Sequence, residues 1–70
     1  MNPKLFERLR LKAGGVSALA RACNTYPQQV QYWRKNGVPV MHVVPLCRVS
    51  EGEIQPYQLR PDIFLEHWTV

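Results

Sequence analysis

The sequence predicts an all-α protein, a compact four- to five-helix bundle. In successive short segments, apolar residues recur three and four positions apart, which is the spacing of one face of an α-helix. Glycine or asparagine follows most of these segments and proline precedes several, as expected at helix ends and helix starts. The chain has 70 residues, 46% of them hydrophobic, which predicts a single folded domain over residues 1–70.

The first helix is predicted to begin after Asn2, a favourable N-cap residue, with Pro3 at the first helical position. Its apolar face consists of Leu5, Phe6, Leu9 and Ala13. Gly14 follows this face and is expected to end the helix, because glycine readily adopts the left-handed backbone conformation of a C-cap.

A short second helix is predicted over about residues 17–23, and a third over about residues 27–36. Asn24 lies where the chain must turn, and asparagine tolerates the left-handed conformation better than most residues. Thr25 begins a pattern that resembles a capping box, so that either Thr25 or Tyr26 is the N-cap of the third helix. The residues expected to face the core are Leu19, Ala20, Cys23, Val30 and Trp33.

The fourth segment contains Pro45, which is expected to interrupt it, leaving one turn before the proline and a helix over about residues 46–50. Gly52 is expected to be the residue that ends this helix. Pro56 can begin a last helical turn through Leu59.

An apolar C-terminal tail is predicted over about residues 61–70. Ile63 and Phe64 are expected to fold back onto the core. For Trp68 and Val70 the sequence leaves two alternatives open, packing on the core and packing on a second copy of the chain.

Charge is unevenly distributed along the chain. Residues 1–50 contain eight Lys and Arg and one acid, whereas residues 51–70 contain one Arg and four acids. Clustered basic residues release counterions when they contact phosphates, so the basic part of the chain favours a polyanionic partner such as nucleic acid.

Catalysis and metal binding find no support in the sequence. Cys23, Cys47, His42 and His67 lack the short, regular spacing of a zinc site, and no nucleophile is paired with a base. The chain is therefore expected not to be an enzyme and to use no cofactor and no small-molecule substrate, and both cysteines are expected to be buried thiols. No apolar run approaches the ~20 residues of a membrane helix, and the N-terminus lacks the apolar core of a secretion signal. We therefore expect a cytoplasmic protein without a membrane partner.

The third helix has an unusual outward face of glutamine, tyrosine and lysine. A short helix, a tight turn and a second helix form a helix-turn-helix, whose second helix can enter the major groove of DNA. Glutamine can form two hydrogen bonds with adenine, and lysine can bind guanine. Backbone phosphates are expected to be held by Ser17, Arg21, Tyr26 and Arg34. The sequence thus predicts a helix-turn-helix over about residues 16–36, with double-stranded DNA as its partner.

This unit resembles the helix-turn-helix of phage Cro and CI repressors, and most closely the prophage subgroup called YdaS-like or Cro-like. The matching positions are Ala20, Asn24, Val30 and Trp33, followed by RKNGVP at residues 34–39 and LRPDIF at residues 59–64. The resemblance covers about residues 13–64.

The resemblance implies a lambda-repressor-like DNA-binding domain that represses transcription by occupying an operator. It implies contacts with the operator by Tyr26 and by a set of residues that contact bases, namely Gln28, Gln29, Gln31, Tyr32 and Lys35. It also implies a weak homodimer that assembles on DNA. The alternative is a protein-interaction module, such as an antitoxin or an antirepressor-like partner, that uses the apolar tail.

Overall fold

A computed structural model describes residues 1–70 and consists of five α-helices without a strand, which confirms the predicted all-α class. The helices are α1 (Pro3–Ala13), α2 (Val16–Ala22), α3 (Pro27–Asn36), α4 (Val40–Val49) and α5 (Pro56–Leu59). None of them has the length and hydrophobicity needed to cross a bilayer.

The ends of α1 are set by local capping, as the sequence predicts. The side chain of Asn2 accepts a hydrogen bond from the N–H of Lys4 at 2.8 Å, which satisfies one of the free donors at the helix start. Gly14 ends the helix in the left-handed conformation, with a φ of 91°. Phe6 and Leu9 are the buried residues of this helix.

The turn between α2 and α3 is closed by a Schellman motif. Asn24 has the predicted left-handed conformation (φ 56°), and its N–H donates to the carbonyl of Arg21 at 3.1 Å. The N–H of Thr25 donates to the carbonyl of Ala20 at 2.9 Å, so Thr25 belongs to the end of α2. The capping box expected from Thr25 is therefore absent, and Tyr26 is the N-cap of α3 without a side-chain hydrogen bond.

The prediction that Pro45 divides the fourth segment is wrong, because α4 continues through it. Proline cannot donate a hydrogen bond to the carbonyl of Met41, four residues earlier. Met41 is 77% exposed, so the missing hydrogen bond lies on the solvent-facing side of the helix. Val43 and Leu46 are fully buried on either side of the proline, and this burial holds both turns of the helix in place.

The end of α4 also differs from the prediction. Glu51, rather than Gly52, is the first left-handed residue after the helix (φ 57°), and the N–H of Gly52 donates to the carbonyl of Cys47 at 3.3 Å. The hydroxyl of the buried Ser50 accepts a hydrogen bond from the N–H of Ile54 at 3.0 Å and donates to the carbonyl of Cys47 at 2.7 Å. This hydroxyl therefore connects the last turn of α4 to the segment that leads into α5.

Arg60 joins the two sequence motifs at residues 34–39 and 59–64. One guanidinium nitrogen donates to the carbonyl of Val38 at 2.8 Å, while two others donate to the carboxylate of Asp62 at 2.8 and 3.0 Å. The hydrogen bond from Arg60 lowers the pKa of the Asp62 carboxyl. Arg60 thus holds the segment that follows α3 in place, although it lies 22 residues after Val38 in the sequence.

The core consists of thirteen buried apolar residues, drawn from all five helices and the connections between them. They are Phe6, Leu9, Leu19, Ala20, Cys23, Val30, Trp33, Val38, Val43, Leu46, Cys47, Ile54 and Leu59. Both cysteines are free and buried, as expected, and burial raises their pKa values, that of Cys47 to about 11.

The C-terminal tail packs on the core through one side chain. Phe64 is partly buried against the core, as predicted, but Ile63 is 46% exposed, so the prediction for Ile63 is wrong. Adjacent residues of a turn point in different directions, and here only the second meets the core. The rings of Phe64 and Trp68 lie 5.1 Å apart, and the N–H of Val70 donates to the side-chain oxygen of Gln55 at 2.8 Å. The tail residues at positions 68 and 70 therefore contact their own chain and remain about half exposed.

Candidate nucleic-acid interface

Helices α2 and α3 form a short helix, a tight turn and a second helix, as the sequence predicts. Leu19 and Ala20 of α2 and Val30 and Trp33 of α3 are each 2% exposed or less. Ala20 is buried, and its small side chain permits a neighbouring helix to pack closely. The inner faces of both helices are therefore buried in the core, and their outer faces are exposed to solvent.

The outer face of α3 brings together the residues predicted to contact bases. At 100° per residue, Gln28, Gln31, Tyr32 and Lys35 lie within about a third of the helix circumference, opposite the buried side. All four are exposed, and Tyr32 retains 61% of its accessible surface. Gln29, also exposed, flanks this stripe on one side. The stripe carries hydrogen-bond donors and acceptors and one positive charge.

Two hydrogen bonds involve side chains of α3. A guanidinium nitrogen of Arg34 donates to the side-chain oxygen of Gln31 at 3.4 Å, and the amide of Asn36 donates to the carbonyl of Tyr32 at 3.3 Å. The carbon at the centre of the Arg34 guanidinium lies 5.5 Å from the ring centroid of Phe6 in α1. Arg34 therefore flanks the stripe on the side opposite Gln29 and is held against the core by a cation–π contact.

The residues predicted to hold phosphates lie around α2 and the turn. Ser17 and Arg21 are four residues apart, hence on one face of α2, and both are exposed. Arg21 and Tyr26 line a shallow depression at the turn, and Tyr26 is 74% exposed. Asn24 also lines this depression. The sequence indicated only a conformational role for Asn24, although its place in the turn also exposes its amide.

Several basic residues of the helix-turn-helix segment form no ion pair with an acid. Of the nine Lys and Arg residues, three are paired with acids, in the ion pairs Arg10–Glu7, Lys12–Glu53 and Arg60–Asp62. The hydrogen bond from Arg10 lowers the pKa of the Glu7 carboxyl. The basic residues without an acid within ion-pair distance are Lys4, Arg8, Arg21, Arg34, Lys35 and Arg48. Three of them belong to the helix-turn-helix segment, where no acidic residue occurs.

Histidine and cysteine are placed as structural groups. No three His, Cys, Asp or Glu side chains come close enough together to hold a metal ion. The ring of His42 lies 4.5 Å from that of the buried Trp33 and covers one side of it. A buried thiol with a raised pKa is a poor nucleophile, because the thiolate is the reactive form.

Comparison with known proteins gives one match. No curated protein and no solved structure matches the chain. The sequence model of the family described as "Bacterial toxin YdaS" matches residues 7–68, whereas the finer resemblance to Cro and CI repressors stays a prediction. Because the match spans all five helices apart from the first turn of α1, the chain belongs to the YdaS family.

Proposed function

We propose that this protein is a sequence-specific DNA-binding regulator that places α3 in the major groove and represses transcription by occupying an operator. The observation that supports this best is the exposed polar face of α3. Gln28, Gln31, Tyr32 and Lys35 lie side by side on it, in a segment without acidic residues. The helix-turn-helix segment itself contributes no carboxylate that would repel phosphates, while its amide, hydroxyl and ammonium groups match the edges of bases.

The DNA backbone is expected to contact the elements that flank α3. The hydroxyl of Ser17, the guanidinium groups of Arg21 and Arg34 and the phenol of Tyr26 are all available to phosphates. In this proposal the protein acts by binding alone, without catalysis, cofactor or small-molecule substrate. Two copies would bind adjacent half-sites about one helical turn apart, as a weak homodimer that assembles on DNA.

The test is a fluorescence-anisotropy titration with DNA from immediately upstream of the protein's own gene and with a shuffled duplex of equal length. We expect the native sequence to bind more tightly by about 10³ or more, the lower range for specific binders. Equal, salt-sensitive binding to both duplexes would contradict the proposal. In the same titration, Arg21→Ala should weaken binding to every duplex alike and reduce the slope of log K against log salt concentration by about one.

Gln31→Ala separates base contact from general affinity. Loss of a good base contact costs about 1–3 kcal/mol and relaxes the preference at one base position. Binding to a panel of single-base operator variants measures this. An equal loss on all duplexes would show that Gln31 does not contact a base.

A protein-interaction module is the second candidate, and the exposed apolar tail favours it. Ile63, Leu65, Trp68 and Val70 are each at least 44% exposed, and the family is described as a toxin. Growth of cells that express DNA-binding-deficient variants distinguishes the two functions. Growth inhibition that disappears with Gln31→Ala and Arg21→Ala would act through DNA, whereas inhibition that persists in these variants and disappears with Trp68→Ala would act through a protein partner.

A further inference from the structure

The exposed face of α1 carries positive charge that no acid neutralises. Lys4, Arg8 and Leu11 lie within about a sixth of the helix circumference and line one surface depression. The two carboxylates that also line this depression already belong to ion pairs within the chain. Lys4 and Arg8 form no ion pair, and Leu11 lies beside them with 65% of its surface exposed. We call these three residues the basic α1 surface.

The C-terminal tail combines exposed apolar side chains with the opposite charge. Glu66 is exposed and forms no ion pair, and residues 61–70 contain no Lys or Arg. Leu65 and Trp68, close to Glu66 in the sequence, are 65% and 45% exposed. Leu65, Glu66 and Trp68 form the acidic tail surface.

These two surfaces do not meet within one chain. Phe64 packs on the core, and the N–H of Val70 donates to the side-chain oxygen of Gln55 at 2.8 Å, so the tail is held on its own chain at both ends. No tail residue lines the depression on α1, and no ion pair joins the tail to α1. Both surfaces are therefore open to a second copy of the chain.

Charge and hydrophobicity match between the two surfaces. Each has unpaired charge of one sign next to exposed apolar area, and a contact between them brings Glu66 close to Arg8 while covering Leu11. Because the tail is already held at both ends, little further ordering opposes the contact. The basic α1 surface also shares no residue with the helix-turn-helix, so that it does not compete with the proposed DNA contact.

We infer that the acidic tail surface of one copy docks on the basic α1 surface of a second copy. This inference goes beyond the proposed function, because it assigns a surface outside the DNA interface and requires no DNA. The contact involves few side chains and exposed charges, so it is weak and sensitive to salt.

The first experiment measures self-association of the full chain without DNA, by sedimentation velocity over a range of protein concentrations. We expect reversible association at about 50 mM salt that weakens by about tenfold at about 500 mM salt, because ions screen exposed charges. Arg8→Glu and Glu66→Arg should each weaken association by about tenfold or more, since each brings like charges together. Arg48→Glu makes the same change in net charge as Arg8→Glu but lies on α4, outside both surfaces, and should not weaken association.

The second experiment combines the two charge reversals. In an equimolar mixture of Arg8→Glu and Glu66→Arg, the acidic position 8 of one variant faces the basic position 66 of the other. The remaining Glu66 and Arg8 also face each other, so the mixture should regain the association of the unaltered protein. The double variant should associate with itself for the same reason. Circular dichroism of each variant checks that it is folded.

Association that survives both single reversals would overturn the inference, because it would use another surface. A mixture that associates as weakly as its components would also overturn it, as would an unaltered protein that is monomeric at about 1 mM. A monomeric protein whose tail binds a different protein would assign the tail to that partner instead. None of these outcomes affects the operator titration, in which a monomer can still select its half-site.

Discussion

Replacing Ser50 with alanine should destabilise the fold more than any other single removal of a hydroxyl from this chain. Ser50 is fully buried, and its hydroxyl is the acceptor for the N–H of Ile54, which is also fully buried. That N–H makes no other hydrogen bond. The carbonyl of Cys47, to which the hydroxyl donates, keeps a second hydrogen bond from Gly52 at 3.3 Å. The variant therefore leaves one buried donor unsatisfied.

A buried donor without an acceptor costs about 1–3 kcal/mol. A domain of this length has a total stability of roughly 4–10 kcal/mol. With roughly 4–8 °C per kcal/mol for small domains, a loss of about 2 kcal/mol lowers the Tm by roughly 8–16 °C. Ser50→Ala would thus remove a substantial part of the stability without touching the proposed DNA-binding surface.

Thermal and urea unfolding followed by circular dichroism measure this loss. Ser17→Ala is the matched control, because its hydroxyl is exposed on α2 and should change the stability by less than about 0.5 kcal/mol. If the unfolding free energy of Ser50→Ala lies within about 0.5 kcal/mol of that of the unaltered protein, the Ile54 N–H has another partner. The Ser50 hydroxyl would then not stabilise the connection between α4 and α5.

Three further perturbations follow from other features of the fold. Glu51→Gly removes the strain of a left-handed non-glycine residue and should raise the unfolding free energy by up to about 1 kcal/mol. The same change at the exposed Glu66 should not raise the unfolding free energy, and equal effects of the two changes would refute the assignment of strain. Arg60→Lys should lower the unfolding free energy measured in urea by about 1–2 kcal/mol, because lysine lacks the planar guanidinium that binds the carbonyl of Val38 and the carboxylate of Asp62 together. An unchanged midpoint of urea unfolding would show that the contact contributes little. Stability should fall as pH rises from about 9 to about 11, because the Cys47 thiol keeps its proton in the folded state and loses it in the unfolded state. This loss is on the order of 2 kcal/mol, and an identical pH dependence in Cys47→Ala would exclude the thiol as its origin.

Helices whose ends are set by neighbouring residues could be predicted from the sequence. Asn2, Pro3 and Gly14 bound α1 through contacts within one turn, and Asn24 ends α2 by its tolerance of a left-handed backbone. The exposed stripe of α3 follows from the period of the helix once Val30 is assigned to the core. Each of these features depends on residues within one helix or directly at its ends.

Features that depend on tertiary contacts could not be predicted in this way. Pro45 lies within a helix because the buried residues on both sides outweigh one missing hydrogen bond. The hydrogen bond from Arg60 to the carbonyl of Val38 joins residues 22 apart in sequence. At the candidate site, Arg34 and Gln31 have a spacing that permits contact, but the Phe6 ring that orients Arg34 comes from another helix. Periodicity assigns a residue to a face and does not give its rotamer.

The hydrogen bond between Arg60 and Val38 also restricts how this family can diverge. The acceptor is a backbone carbonyl, which every amino acid supplies, so position 38 can vary among side chains that fit its buried volume. The donor is a guanidinium whose other nitrogens bind the carboxylate of Asp62, so changes at positions 60 and 62 should be correlated. An alignment of relatives should accordingly show arginine and aspartate retained or lost together at positions 60 and 62, while position 38 alternates among small aliphatic residues. Descendants that have lost the pair should have gained a different connection between the end of α3 and the C-terminal segment.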